Sequence, residues 1–523
     1  MELIHKYLIE TVQSYPGKKA IISDKKEISY GNLLKYVVTL SDTLILEGLH
    51  RGDRIIVMLS DPIDMITACC AVSRSGGIVV PIQTTLPVSE ILDIVNRSSP
   101  FLIITSRSDY ERMAKLSTGT KQITIFYDDE SLSNIASSSL YHHLREFKDE
   151  NWNKVLQLTN LKEFDITFMD YNTITKELSV FTHQSILHSA RIINPLTSLL
   201  TDSIEFITTP IINIIGFNRV IHLLTSGGTC VIRGSTSDPL EYPSTILKHN
   251  CNTWYTTHET IMNAMNQISF LIKDTFSRIK LIGISGDVPI SFQERQKLLD
   301  VFVNAKIYLN YGPPEAPTST ILSIRNNRSR LNSYGSVPPS VKLSHDSNGN
   351  ILIHGPHLME GYWRNNDLDK SRFNEKGWFK TDDFGMFDNN GDLEMVYQKD
   401  ELIKRHNTYK PVTDIEENMR TFFPGCEMCI IGIQDPLNIE NEVPILCYSE
   451  KGKPTINRKN LLDVFQEQFI EKNILLLVKE IKEFPKAGNK ILRFELKKFL
   501  LDYNILTEIE NMNKIFLYHA TDN

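Results

Sequence analysis

The chain has 523 residues, 41% of them apolar and 23% charged, with a formal net charge of −7. That length carries more than one domain and cores that stand without covalent staples, and the charge is too weak to draw the protein to nucleic acid or to an anionic membrane. Its 7 cysteines are too few for a disulfide framework, and Cys426-x-x-Cys429 has no second pair at zinc-site distance, so both read as buried thiols.

The N-terminal stretch MELIHKYLIETVQSY places Glu2, Lys6 and Glu10 at helical intervals, which gives an amphipathic helix and not a signal peptide. Short β-branched runs then alternate with amphipathic segments. DRIIVML reads as a strand, PIDMITACCAVSRS as a helix and GIVVPI as a strand; VSEILDIVNRSS follows as a helix and FLIITS as a strand. The pattern returns in STILKHNCNTWYTT and RIKLIGISGDVPI. Repeated strand–helix–strand units predict a parallel sheet wrapped by helices, with ligands held in the loops at the carboxyl ends of the strands. The most apolar long stretch, TPIINIIGFNRVIHLLTSGG, is interrupted by Asn213, Asn218 and Arg219. No membrane span is therefore expected, and a cytoplasmic protein is.

From about Ser333 the composition turns to Gly, Asn and Asp, and Asp388-Asn389-Asn390-Gly391-Asp392 between apolar runs signals a hairpin. After Lys399-Asp400 the chain returns to mixed helix and strand and ends in the Lys-rich FPKAGNKILRFELKKFL. The expected fold is α/β: a large N-terminal body of parallel and mixed sheets wrapped by helices, with a β-rich subdomain, over residues 1–399. A small α+β C-terminal domain follows over 400–523.

Four clusters carry potential chemistry: YGPPEA (Tyr311–Ala316), GWFKTDDFG (Gly377–Gly385), KDELIKRHNTYKPVTDIEE from the boundary onward, and PKAGNKILR (Pro485–Arg493). Singly, each passes for a turn, a solvated acidic pair, a charged surface segment or a basic tail. Together, and in this order, they resemble the adenylate-forming superfamily of acyl- and aryl-CoA ligases, peptide-synthetase adenylation domains and beetle luciferases. ISYGNLLKYV, GLHRGDRIIVML and AVSRSGGIVVPI resemble its opening segments, and LIGISGDVP its adenine-holding strand and loop. GPHLMEGYWRN followed by GWFKTDDFGMFDNNGDLEMV resembles its Gly-Tyr-Trp and Gly-Trp-x-x-Thr-Gly-Asp run.

The resemblance implies ATP-dependent activation of a carboxylic acid to an acyl-adenylate, then transfer to the thiol of coenzyme A or of a phosphopantetheine on an acyl or peptidyl carrier protein. It also implies a C-terminal domain that rotates between the two steps. By the same resemblance Tyr311 and Gly312 meet adenine, with Gly286, Asp287 and Val288 lining the base. Glu315 holds Mg2+, Asp383 accepts from the ribose hydroxyls, Asp400 is the hinge, and catalytic Lys490 reaches the carboxylate and the α-phosphate. Asn213, Gly216 and Phe217 fall at the acid pocket, whose walls are expected near 213–217, 284–286 and 312–318. The apolar run IINIIGF suits a fatty or aromatic acid.

The chain also departs from that pattern. No glycine occurs between Gly119 and Gly216, so the family's Gly-rich phosphate loop is replaced by DYNTITKELSVFTH. There Glu177 takes the usual lysine position, and Thr173, Thr175 and Ser179 could still donate hydroxyl hydrogen bonds. Glycine lets successive N–H groups point at one phosphate, and its loss leaves two readings. One is a ligase whose loop is rebuilt from hydroxyls. The other is a relative that no longer binds ATP well and serves as a binding or scaffold partner. Pro314, Asp382 and Gln398 are further departures.

Overall fold

A computed structural model describes residues 3–106, 109, 123–126, 160–189, 201–233, 238–267, 276–286, 290, 292–325, 333–347, 349–405, 408–449, 457–469, 475–487, 490–502 and 505–510. Asp287 and Val288 lie outside them.

The strand and helix alternation of the first hundred residues builds the middle of a seven-stranded sheet. Arg54–Met58 pairs in parallel with Ile78–Pro81 on one side and Leu102–Thr105 on the other. Ile55, Ile56, Val57 and Met58 are all buried, because helices cover both faces of such a sheet and leave no solvent side for alternation. The helix Pro62–Ser75 that joins the first two strands starts where Asp61 accepts from the Ile63 and Asp64 amides and Pro62 presets the first turn. Ile166–Tyr171 extends the sheet, and Leu178–Thr182 folds back antiparallel on it. Gly361–Tyr362 closes that edge.

An eight-stranded sheet holds the second repeat of the pattern. Lys306–Tyr311, Leu281–Ser285, Thr253–Thr257, Ile204–Ile207 and Thr229–Ile232 run parallel in that spatial order, with Thr320–Ser323 antiparallel at one end. Crossing between the sheets is the helix Ile214–Ser226, where Asn213 caps the Gly216 amide at 2.9 Å. A Cβ at Gly216 would stand 2.0 Å from the Pro210 carbonyl oxygen, so close backbone approach dictates glycine there. The Gly- and Asn-rich part is antiparallel as expected, with Lys342–His345 paired to Asn350–His354.

The chain divides into two compact units, Met1–Thr381 with Met386–Met395, and Asp382–Gly385 with Val396–Asn523. The boundary expected at Asp400 falls inside the second unit. That unit is built on the strands Glu427–Asp435, Asn438–Ser449 and Leu477–Glu480. Its core contains Cys429 and Cys447, and burial pushes the Cys429 thiol up to about 12. No helix among the described residues is long and apolar enough to cross a membrane.

Candidate active site

The segment without glycine is a tight β-hairpin, not an open loop. Asp170 pairs with Ser179 and Tyr171 with Leu178 across it. Asn172 closes the turn: its N–H donates to the Glu177 carbonyl at 3.0 Å and its carbonyl accepts from Lys176 at 2.8 Å. Its side-chain Oδ1 accepts from the amides of Ile174 and Thr175 at 2.9 and 3.1 Å. Lys176 takes the single left-handed position (φ 61°) and its Nζ lies 3.2 Å from Glu90. An Asn side chain thus performs the bending that the family assigns to glycines, and it uses up the amides that would face a phosphate. Thr173 and Thr175 sit exposed at the tip. Thr173→Ala and Thr175→Ala are each expected to leave the KM for ATP within about twofold, since an exposed hydroxyl contributes little net. A rise of tenfold in steady-state assays would return these hydroxyls to the phosphate site.

The end of the same strand bears a group the sequence reading passed over. Asp170 is buried and accepts a hydrogen bond from the Ile214 amide at the helix start. Burial, and to a lesser degree the neighbouring Glu315 carboxylate, push its pKa up to about 7, against the lowering effect of that amide. Glu315 is held by the turn that YGPPEA forms. Ala316 N–H bonds to Pro313, Ser319 N–H to Tyr311, and the Met359 amide to the Glu315 carbonyl. Glu315 Oε1 accepts from the Tyr362 hydroxyl at 3.0 Å. A Cβ on Gly312 would lie 2.3 Å from the Ala316 carbonyl, so this turn also requires glycine. Two acidic side chains and a phenol therefore converge at the amino end of a helix, where partial positive charge gathers. Tyr311 is 1% exposed and set edge-on to Tyr334, with 6.0 Å between ring centres. Its ring shows no open face here, so the stacking on adenine implied by the resemblance requires the wall around it to open.

Behind that turn, the three segments expected to wall the acid pocket do meet. Ile215, Asn218, Arg219 and His222 from the helix, Tyr255 and Ser285 from two strands, and Asn310, Gly312, Pro317 and Thr318 line one cavity. Its room for water centres is about 10 Å3, that of a single water. Arg219 spans Glu205 with two bonds of 2.6 and 2.7 Å, both residues buried, and lies 4.6 Å over the Tyr255 ring. Burial and then the Arg219 charge hold His222 well below its ordinary value. The expected apolar lining is corrected at Phe217, which stacks on Phe168 at 4.6 Å in the core, and at Ile214, buried in the same cluster. Asn213 and Gly216 are engaged in the cap and the close approach to Pro210. The helix turns its apolar face to the core and its polar face to the cavity. Gly286, half-buried, follows the strand Leu281–Ser285 at its carboxyl end.

In the second unit, Asp382, Asp383, Gln398, Asp400, Lys404, Tyr409, Glu442, Arg493 and Lys497 are among the residues lining a cleft of about 760 Å3. Asp383 is buried and Asp382 exposed. Asp400 lies exposed on the short 3-10 turn Lys399–Glu401, which begins with a reciprocal cap between Gln398 and Glu401. Gln398, which stands where the resemblance calls for Arg, is thus engaged in local structure. Lys490 belongs to the two-stranded ribbon with Lys486–Ala487, and the helix that follows starts at Arg493, paired through both ends of its guanidinium with Glu416 at 2.8 Å.

A parallel α/β body with a carboxylate turn beside a small cavity, and a smaller unit bearing a lysine ribbon, define a class of nucleotide-dependent acid-activating proteins. The chain belongs to the AMP-binding enzyme family, whose profile matches residues 8–363. It is 22% identical to 4-coumarate–CoA ligase-like 8 of Arabidopsis thaliana, over 94% of this chain and 91% of that protein. To the long-chain-fatty-acid–CoA ligase of Bacillus subtilis it is 24% identical, over 94% and 93%. Among solved structures, ATP-bound MatB from Rhodopseudomonas palustris superposes with a TM-score of 0.79 at 17% identity, covering 96% of this chain and 99% of that one. The o-succinylbenzoate CoA synthetase MenE of Bacillus subtilis, in complex with its acyl-adenylate, superposes with a TM-score of 0.75 at 18% identity, over 94% and 97%. These structural likenesses speak to the fold.

Proposed function

We propose that the protein activates a carboxylic acid with ATP and passes the acyl group to a thiol. The observation that carries this reading is the turn Gly312–Thr318. One side of it holds Glu315 against Tyr362 and Asp170, and the other side walls the cavity, so a phosphate-side carboxylate and an acid pocket share one piece of chain. In the first step a carboxylate oxygen attacks the α-phosphorus and pyrophosphate leaves; in the second a thiolate attacks the acyl carbon and AMP leaves. Relatives bearing the names of CoA ligases align over 94% of the chain, which favours coenzyme A over a carrier protein as acceptor and gives a non-catalytic scaffold no support.

The first step brings two anions together, so positive charge must be supplied. The hairpin does not supply it, since its amides are engaged and Lys176 faces Glu90. The donor set fits a divalent cation instead. Asp170 and Glu315 are hard oxygen ligands. The burial of Asp170, with the neighbouring Glu315 charge adding to it, raises the pKa of Asp170 and disfavours its ionised form, a cost that a bound cation would relieve. Asp170 and Glu315 would hold Mg2+, which when bound neutralises charge on the phosphates. Lys490 supplies the second positive charge as a flexible point charge toward the α-phosphate and the carboxylate. Asp383 takes the ribose hydroxyls, Gly286, Tyr311 and Gly312 the base, and the turn at Asp400 the rotation between steps.

Lys490→Ala is expected to lower carboxylate-dependent exchange of labelled pyrophosphate into ATP by about 10²–10³-fold with unchanged thermal unfolding. Retention of half the wild-type rate would remove Lys490 from the chemistry.

A further inference from the structure

Resting on the adenylation reading, we infer that the acid pocket selects a short carboxylic acid carrying a hydroxyl or amino donor, and not a fatty or aromatic acid. The pocket is small, and its helix wall is a polar stripe: Ile215, Asn218, Arg219 and His222 recur at helical spacing on one face. Three oxygens in it are buried without a hydrogen bond of good geometry: Asn218 Oδ1, Ser285 Oγ and Asn310 Oδ1. Their residues are 4%, 5% and 7% exposed. Ser285 and Asn310 have the Tyr255 hydroxyl as a hydrogen-bond neighbour, whereas Asn218 Oδ1 finds no partner in the cavity wall. Leaving a buried acceptor such as Asn218 Oδ1 unmet is costly, so a small group that brings an O–H or N–H into this cavity is favoured over one that does not.

Charge points the same way. Arg219 is committed to Glu205 through a two-pronged bond, so the pair presents no net charge to the cavity and calls for a neutral or singly charged donor. An acyl chain would have to displace the polar stripe and strand these oxygens against methylenes. Among the described lining residues, the only side chains without a polar group are Ile215 and Pro317. A site built to hydrogen-bond its substrate rejects the analogue lacking that group far more strongly than an apolar pocket rejects an extra methylene.

The test is pyrophosphate exchange by the full-length protein with lactate, glycolate, alanine and glycine, with propionate as the unsubstituted match, and with octanoate and benzoate. The expected result is a kcat/KM for lactate or alanine at least about 100-fold above that for propionate, the better of the two showing whether O–H or N–H is read. Asn218→Leu should shrink that ratio at least tenfold. Ser285→Ala, which removes one oxygen and keeps the fold, should shrink it in the same direction. Fastest exchange with octanoate or benzoate, or equal rates for lactate and propionate, overturns the inference and leaves the adenylation reading standing. No exchange with any acid overturns the adenylation reading, and this inference with it.

Discussion

Asp170→Asn is expected to stabilise the protein by about 4 kcal/mol at pH 8 and to change nothing near pH 4. Asp170 titrates at about 7 when folded, against an ordinary 3.8, and each unit corresponds to 1.36 kcal/mol. A carboxyl whose folded value is raised opposes folding once it must ionise. The unfolded chain releases its proton near pH 4 while the folded chain holds it to pH 7, so stability falls across that window and stays low above it. Asparagine keeps an acceptor for the Ile214 amide and never ionises. Denaturant melts of both proteins from pH 4 to pH 8 measure the effect. Parallel curves over the whole range would show that Asp170 is ionised without penalty. A strained acidic residue kept beside Glu315 is what a cation site asks for, and stability is commonly lower at such places. The same substitution is therefore expected to weaken Mg2+-dependent ATP binding.

The second large effect concerns Glu205 and Arg219. Arg219→Met leaves a carboxylate that is 0% exposed with no counter-charge, and a cost of about 3–5 kcal/mol is expected. Glu205→Leu strands the guanidinium over Tyr255 at similar cost. The double variant Glu205→Leu/Arg219→Met should recover most of the loss, because an apolar pair of similar volume needs no desolvation of charge. A double-mutant cycle by urea unfolding reads the coupling, and losses that simply add would mean the two side chains stabilise the fold independently. The recovered double variant should still bind the acid poorly, since Arg219 lines the cavity.

Much of the architecture was legible in the sequence because it is local. The alternation of DRIIVML, PIDMITACCAVSRS and GIVVPI is written in side-chain period, and the helix between those strands carries its own start signals in Asp61 and Pro62. The turn chemistry of Asp388–Asp392 is likewise contained in five neighbouring residues; Asn390 and Asp392 donate their amides to Asp388 Oδ1. YGPPEA shows its role through Gly312, whose neighbours tolerate no side chain. The hairpin at Asn172 was readable in part. Its signal was an Asn between two runs that pair, Ile166–Tyr171 and Leu178–Thr182.

What escaped the sequence were partnerships over long separations and the facing of one helix. Nothing near Asp170 announces Glu315, and nothing near Glu205 announces that Arg219 will cross from the following helix. IINIIGF, placed at the acid pocket by the resemblance, suggested a fatty or aromatic acid because its apolar residues outnumber its polar ones. Yet a helix presents two faces, and packing on Phe168 claims Ile214 and Phe217, leaving Ile215, Asn218 and His222 for the cavity. Periodicity and turn residues settled which elements form, since those preferences act within a few bonds. The meeting of Asp170 with Glu315, and the polar lining of the cavity, were decided only when the sheets packed, because burial and charge proximity belong to neighbours in space and not to neighbours in the chain.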